Sequence, residues 1–175
     1  MIIESLRSEY LRYKNLAEGA IAQIDDKVIY QIFGDESNSI AIVMNHLSGN
    51  LKSRFTDFLT SDGEKPWRHR DEEFEETKLS RDELLRTWEE AWSVLWNELE
   101  NLRDEQLQNS VKIRGKELTV IEALHRSLTH FSYHVGQIVF IAKSSLGKNW
   151  KSLSIPKGKS QQYNENPAKE RGIQG

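Results

Sequence analysis

The stretch TVIEALHRSLTHFSYHVGQIVFIAKSSLG, residues 119–147, carries the pattern of one long amphipathic helix. Thr119 and Glu122 have the spacing of a capping box, in which a hydroxyl and a carboxylate satisfy backbone N–H groups of the first turn. Gly147 lies where such a helix would end. Apolar residues recur at spacings of three and four, which places on one face Leu128, Phe131, Val135 and Ile138. The stretch therefore predicts a helix from Thr119 to about Ser145 that buries one face in a core.

Three other stretches of the chain show the same helical period. The first runs from about Ile3 to Ile24 and the second from about Ser37 to Leu59. The third opens at Ser80, where Glu83 completes another capping box. Four amphipathic helices in this order predict an all-α protein with the architecture of a four-helix bundle.

The segments between and after these helices are predicted to be less regular. Residues 61–79, SDGEKPWRHRDEEFEETKL, are so rich in charge that we expect a loop exposed to solvent. Residues 110–120, SVKIRGKELTV, predict a small hairpin that turns at Arg114 and Gly115. We expect one domain over residues 1–164 and a polar, flexible tail over residues 165–175.

Three tryptophans on the third helix fit two interpretations. Their spacing of four places on one face Trp88, Trp92 and Trp96. Such a row could form a stacking platform for a ligand, or it could pack in the core. We favour the core, because the spacing is that of a buried helical stripe.

The composition narrows the classes of function. The chain has 175 residues, a formal net charge of -3 and no cysteine. Without a broad basic excess, we expect no nucleic-acid partner. Because thiolates are absent, a metal ion would have to be held by histidine, carboxylate or carbonyl groups. Neither a secretory signal nor an apolar run of about 20 residues is visible, so we expect a cytoplasmic protein with no membrane partner.

The histidines provide the candidate metal site. His130 and His134 are four positions apart on the predicted last helix, so their imidazoles lie one turn apart, at about 6 Å. The spacing alone fits a pair of metal ligands and a pair of structural residues equally well. The polar middle of this face favours ligands, and His46, within the second helix, is the best third candidate. His125 points away from this face, and His69 lies in the charged loop.

A resemblance to a known family supports this choice. Three stretches together carry the resemblance: NHLSGNLKSRFTDFLTSDGEKPWRHRDEEF (residues 45–74), with its histidine at position 46, HFSYHVGQIVFIAK (130–143) and SLSIPKGKS (152–160). In them the chain resembles an uncharacterised branch of the DinB-like superfamily. The likeness covers residues 1 to about 164. It implies a four-helix metalloprotein, often a homodimer, in which three histidines bind a divalent ion such as zinc or nickel. The matching positions are His46, His130 and His134. The superfamily includes bacillithiol-dependent thiol S-transferases and a mycothiol-dependent isomerase.

Two functions follow from such a site. Three neutral ligands leave an open coordination position on the ion, which is typical of catalytic sites. The first function is therefore a metal-dependent transferase, which activates a low-molecular-weight thiol for reaction with an electrophilic substrate. A zinc-peptidase mechanism is disfavoured, because Phe131 occupies the position of the glutamate in the H-E-x-x-H motif. The second function is a non-catalytic metal-binding or ligand-sensing module built on the same histidines. A helical domain with coincidental histidines is the third, blandest interpretation.

Two residues are candidates for binding the substrate. Arg54 shares a helix face with His46 and could pair with a carboxylate of the cosubstrate, or simply with Asp57 or an acid of the loop. Gln137 lies one turn beyond His134, where it could bond an imidazole or orient a bound water. Arg68 and Arg70, in the charged loop, are weaker candidates. No residue of the sequence is assigned a catalytic role.

Overall fold

The computed structural model describes residues 1–165, so the predicted tail lies outside the described residues except for Glu165. The described chain is mostly helical with one small antiparallel hairpin. Its helices are α1 (Ile2–Ile21), α2 (Asp26–Ile29), α3 (Ile40–Phe55), α4 (Arg81–Asn101), α5 (Val120–Leu146) and α6 (Ser160–Asn164). Its strands are β1 (Ser110–Ile113) and β2 (Lys116–Thr119). Short 3-10 turns lie at Asp71–Phe74, Asp104–Gln106 and Gly147–Asn149.

The long helices begin where their capping residues predict. Both capping boxes form, at Ser80 for α4 and at Thr119 for α5. The second predicted helix is shorter than expected, because Ser39 caps α3 and the chain leaves helical geometry before Asp57, which has a positive φ of 51°. The first predicted helix ends at Ile21, since the segment up to Ile24 is a turn that leads into α2.

The predicted hairpin forms at the expected turn. Strands β1 and β2 are antiparallel, with Ile113 paired to Lys116 at the closed end. Arg114 and Gly115 both have positive φ values, 56° and 71°, as a two-residue hairpin turn requires. The carboxylate of Asp62 accepts hydrogen bonds from the backbone N–H groups of both turn residues, at 2.8 and 2.7 Å. The start of the 61–79 connection is thereby tied to the hairpin.

The core is formed by the apolar faces of α1, α3, α4 and α5. Helix α3 packs mainly against α4, α1 packs mainly against α5, and α3 also contacts α5. Trp88 and Trp92 are fully buried, and the ring of Trp92 lies 4.7 Å from that of Phe131 on α5. These two tryptophans therefore belong to the core, as their spacing predicts. Within residues 1–165, no helix combines the length and the apolar content that crossing a bilayer requires.

The connection between α3 and α4 folds back onto α3 instead of extending into solvent. Its 3-10 turn, Asp71–Phe74, packs against α3. Arg68 and Glu73 are only 9% and 8% exposed. The expectation of a fully solvated loop is therefore wrong for this part of the connection. The charged side chains are buried because they pair with each other and with a residue of α3, as described below.

Candidate metal centre

The structure brings three histidines from two helices to one point. Helix α3 supplies His46, and α5 supplies His130 and His134. Their candidate ligand atoms all lie within 4.8 Å of one another. His46 and His134 are 2% and 8% exposed, and His130 is half-buried. The three side chains are therefore close enough to bind one metal ion.

Hydrogen bonds orient two of the three imidazoles. His46 donates from Nδ1 to Oε2 of Glu73 at 2.9 Å, because the ionised carboxylate can only accept. His134 donates from Nδ1 to Oε1 of Gln137 at 2.7 Å. Each bond places a proton on Nδ1, so Nε2 is the nitrogen that can face a metal ion. Metal-binding histidines in proteins are held in this way, by an acceptor on the nitrogen that does not bind the ion.

The distance between nitrogen atoms fits a shared cation. The Nε2 atoms of His46 and His130 are 3.2 Å apart. Two nitrogen ligands at about 2.1 Å from a tetrahedral zinc ion lie roughly 3.4 Å from each other. Two lone pairs at this separation repel unless a proton or a cation lies between them. Imidazole nitrogen suits zinc and nickel among other transition metals, so the donor set fits such an ion.

Glu73 reaches His46 through a buried ion pair with Arg68. Arg68 donates from Nε to Oε1 of Glu73 at 2.7 Å and from Nη2 to Oε2 at 2.8 Å. Burial alone would raise the pKa of the Glu73 carboxyl, but the hydrogen bonds from Arg68 and His46 hold it below its ordinary value. The carboxylate therefore remains ionised at neutral pH and accepts the Nδ1 proton of His46.

Gly49 makes room for this carboxylate on the surface of α3. A Cβ at position 49 would lie 2.8 Å from Cδ of Glu73 and would overlap its Oε1. Phe74, the next residue of the connection, lies against His46 with ring centroids 4.5 Å apart. Close backbone approach and ring contact together hold the connection over the histidine.

His130 differs from the other two histidines. Its Nδ1 is buried and has no hydrogen-bond partner among the described residues. Burial, followed by the nearby His134 and His46 and then Arg68 and Arg54, lowers the pKa of His130 to about 3. Burial also lowers the pKa of His134, although the bond to Gln137 opposes this. Both residues of α5 are therefore neutral at pH 7, the protonation state in which imidazole binds a metal.

A cavity of about 190 Å³ lies beside the cluster, with His46 and His130 in its wall. Its apolar lining includes Phe55, Phe58 and Ile113. Arg54, which shares the polar face of α3 with His46 as the sequence predicts, also lines it, and so does Asn50. The cavity gives a small molecule direct access to the histidines.

The other sequence-predicted residues have separate places. Arg54 pairs with Glu64 at 3.2 Å and also donates to the Gly63 carbonyl, so the acid of the loop is its partner and not Asp57. Arg70 lines the cavity and is exposed. His69 and His125 are exposed and outside the cluster.

Sequence reasoning missed Glu73 and Gly49, and it undervalued Arg68. Glu73 is one of several acids in the run DEEFEE, residues 71–76, and nothing in that run separates it from its solvated neighbours. Phe74 is the available signal, because an aromatic ring inside a charged run indicates a segment that packs against something. Gly49 within a predicted helix is a second signal, since an interior glycine often marks a close approach.

The comparisons with known proteins give a family without an activity. The model of a family described as "Protein of unknown function (DUF1572)" matches residues 1–159, and the chain belongs to that family. No curated protein and no solved structure shows significant similarity to the chain.

Proposed function

We propose that this protein is a metal-dependent transferase of the DinB-like type, which binds one zinc or nickel ion through His46, His130 and His134 and activates a low-molecular-weight thiol. One observation carries the proposal: three imidazoles converge within 4.8 Å, and two of them, His46 and His130, line a cavity that can admit a small molecule. The hydrogen bonds of Glu73 and Gln137 support it, because they present the metal-binding nitrogens of two histidines.

The chemistry of the cavity favours a nucleophile that needs no protein base. A divalent ion on three neutral ligands keeps its full charge and lowers the pKa of a thiol bound to it. Among the residues that line the cavity none is a carboxylate, and Glu73 is engaged by Arg68 and His46. Phe131, at the motif position of a peptidase glutamate, is buried in the core against Trp92. A hydrolase would have no residue there to deprotonate water.

The thiol must come from a small molecule, since the chain has no cysteine. In the proposed reaction its proton leaves to solvent and its sulfur forms a bond to an electrophilic carbon of the second substrate. The bond between that carbon and its leaving group breaks, and the leaving group departs with the electron pair. The chain's part is to hold the histidines and to bind the two substrates.

The proposal includes the architecture and the assembly. We take the four long helices as a four-helix bundle that forms one domain up to residue 164. We also propose a homodimer. Tyr133 and Phe140 on α5 are 65% and 72% exposed and offer an apolar face for its interface.

A non-catalytic metal-binding module would use the same histidines. The cavity favours the transferase, because a site that only stores or senses the ion needs no room beside it for a second molecule. Metal content after purification without an affinity tag would separate both from a site that binds no metal at all.

Cobalt substitution tests the proposed chemistry directly. Cobalt-loaded protein is titrated with bacillithiol or a similar thiol, and absorbance in the near ultraviolet is followed together with proton release. We expect a thiolate-to-cobalt charge-transfer band that grows in step with the release of one proton. Protein that holds cobalt but shows no band at any thiol concentration would contradict the transferase and leave the metal-binding module.

A further inference from the structure

Five arginines from separate parts of the chain meet at the cavity beside the histidines. Helix α3 supplies Arg54 and α5 supplies Arg126, while the connection supplies Arg68 and Arg70 and the hairpin turn supplies Arg114. No aspartate or glutamate of the described chain lines the cavity with them. In a protein with a formal net charge of -3, this is a local concentration of positive charge.

The neighbouring carboxylates do not balance these charges. Glu64 is shared, since it pairs with Arg54 at 3.2 Å and with Arg114 at 2.9 Å. Asp71 lies 3.8 Å from Arg70 and is fully exposed, so it contributes little. None of the ion pairs between described residues involves the side chain of Arg126. Arg54, Arg114 and Arg126 thus share one carboxylate as an ion-pair partner, Glu64. The carboxylate of Asp62 lies nearby, but it is engaged by the backbone N–H groups of the hairpin turn.

Arg68 adds a buried donor that the protein does not satisfy. Its side chain is 2% exposed, and Nε and Nη2 are used on Glu73. Its third nitrogen, Nη1, is buried without a hydrogen-bond partner in the described chain. An unpaired buried guanidinium nitrogen is costly, and native proteins normally provide it with an acceptor. An anion in the cavity that Arg68 lines would be such an acceptor.

The burial of Arg54 points in the same direction. Its side chain is 12% exposed, and the pKa of its guanidinium is lowered by burial and by the nearby charges of Arg68 and Arg114, although Glu64 opposes this. Positive charges crowded at a half-enclosed site repel one another and destabilise the folded state unless a group of opposite charge is bound there.

We propose that the cavity binds a small-molecule oxyanion with at least two negative charges, held by Arg54, Arg70, Arg114, Arg126 and Nη1 of Arg68, beside the three histidines. Its assignment as a substrate of the metal site rests on the proposed function, but its binding does not. A volume of about 190 Å³ suits a compact dicarboxylate or a phosphorylated metabolite. A nucleic acid is a poor candidate, because the arginines line a cavity and not an extended surface.

The test is calorimetric titration of metal-free protein at neutral pH and constant ionic strength. Malate and inorganic phosphate are the probes, and acetate is the monoanionic control. The chelator used to strip the metal must be removed first, since it is itself a polycarboxylate. We expect malate or phosphate to bind at least about tenfold more tightly than acetate, because two charges can engage several guanidinium groups. Preference for malate indicates a carboxylate ligand, and preference for phosphate a phosphorylated one.

Two exposed arginines provide variants that should leave the fold intact. Arg70→Ala and Arg126→Ala should each weaken binding of the preferred dianion roughly tenfold, the usual effect of losing a charge-assisted hydrogen bond. Arg86→Ala is the matched control, because Arg86 is exposed on α4 and does not line the cavity. Equal losses in all three variants, or dianions that bind no better than acetate, would overturn the proposal.

The same experiment separates this proposal from the metal site. Cobalt binding is measured on the same arginine variants, and malate binding on His130→Ala. Malate binding by protein that takes up no cobalt would leave the anion site standing and contradict the proposed function. Tight cobalt binding without malate or phosphate binding would contradict the anion site and leave the metal site standing.

Discussion

Helix α5 and the 61–79 connection serve the same three-histidine cluster in different ways. Helix α5 carries His130 and His134 on a rigid backbone whose own hydrogen bonds fix the spacing of the two rings. The connection contributes no histidine to the cluster. Its Glu73, held by Arg68, orients His46 on the neighbouring helix. Two of the three candidate ligands thus come from one regular helix, while the groups that orient the third come from a segment without a regular period.

The two regions also differ in what holds them in place. Helix α5 is anchored by a continuous apolar face. The 71–74 turn of the connection is held over α3 by the hydrogen bond between Glu73 and His46 and by the contact of Phe74 with His46. Segments with few apolar contacts open more easily than the core. We therefore expect the connection, and not α5, to respond first when the site is perturbed.

The largest effect should follow removal of a ligand. Structural zinc sites with four ligands bind with about 10–16 kcal/mol, or about 2.5–4 kcal/mol per ligand. Replacing His46, His130 or His134 by alanine should therefore cost roughly 100- to 1,000-fold in metal affinity. Competition titration of cobalt or zinc against a chromogenic chelator measures this. His125→Ala and His69→Ala, on exposed histidines outside the cluster, should bind as the unaltered protein does. An emptied site in His125→Ala with a full site in His46→Ala would show that the third ligand is misassigned.

Removing the metal should loosen the protein without unfolding it. The buried apolar faces of the four long helices should hold the fold, so helical circular dichroism should persist at room temperature after chelation. Bound metal should add about 2.7 kcal/mol of stability at a free concentration 100 times Kd. Hydrogen exchange should then quicken more in residues 61–79 than in α5. Equal acceleration of exchange in both regions would contradict the expectation that the connection responds before α5. Complete loss of helicity would show that the core stabilises the fold less than its burial indicates.

Glu73→Gln should have the next largest effect. The amide can still accept a hydrogen bond from His46, but it lacks the charge that strengthens the imidazole as a ligand and that pairs with Arg68. Changes at such supporting groups typically cost about 10- to 100-fold in metal affinity. Glu72→Gln is the matched control, since Glu72 is the exposed neighbour in the same turn. If both variants bind metal equally well, the connection does not tune the site.

Gly49→Ala should move Glu73 without changing any ligand. The new methyl group would overlap Oε1 of Glu73, which is held by Arg68 and His46 and cannot shift freely. Metal affinity should therefore fall, by no more than it does in Glu73→Gln. Gly136→Ala on α5 is the control, because a Cβ there meets nothing within 4 Å. This second change should leave metal binding intact and stabilise the helix by up to about 1 kcal/mol. Loss of affinity in Gly136→Ala alone would place the sensitive region on α5.

The sequence predicts the helices and the histidines that they carry better than it predicts the 61–79 connection. The period of three and four residues places His130 and His134 one turn apart and aligns His46 with Arg54. In the structure the three histidines cluster, and Arg54 lines the same cavity as His46. Capping boxes predict where α4 and α5 begin, because the signal is local. Helix ends that depend on tertiary contacts, such as that of α3 at Phe55, are predicted less well.

The connection could not be predicted in this way, because its contacts are set by the fold and not by a local pattern. Glu73 meets His46 across 27 positions of sequence, and Arg68 is buried together with the Glu73 carboxylate that it binds. A charged residue in a charged run is usually solvated. Whether one of them is buried depends on which partner the rest of the chain presents, and that is a property of the tertiary structure.

The smallest effect, a pH dependence, separates the two regions by their titration ranges. In metal-free protein the pKa values of His130 and His134 lie below the ordinary 6.5, so the folded state keeps both rings neutral. Well above pH 6.5 both rings are neutral in the folded and the unfolded state, so these two histidines give stability no pH dependence there. Below pH 6.5 the unfolded chain binds protons at these histidines that the folded chain does not bind, so the free energy of unfolding falls. The contribution of His130 continues to fall towards about pH 3.

Glu73 acts in a lower range. Its pKa is held below the ordinary 4.5, so the stability that it contributes is fully present above 4.5 and is lost as the pH falls further. Between pH 6.5 and 5, α5 should therefore dominate the change, with a loss of less than about 1 kcal/mol per histidine once solvent screening is allowed for. Urea unfolding at several pH values measures this on metal-free protein. His130→Gln should flatten the curve above pH 5, and Glu73→Gln should flatten it only below 4.5. If Glu73→Gln flattened the upper range instead, the connection and not α5 would control how the empty site responds to protons.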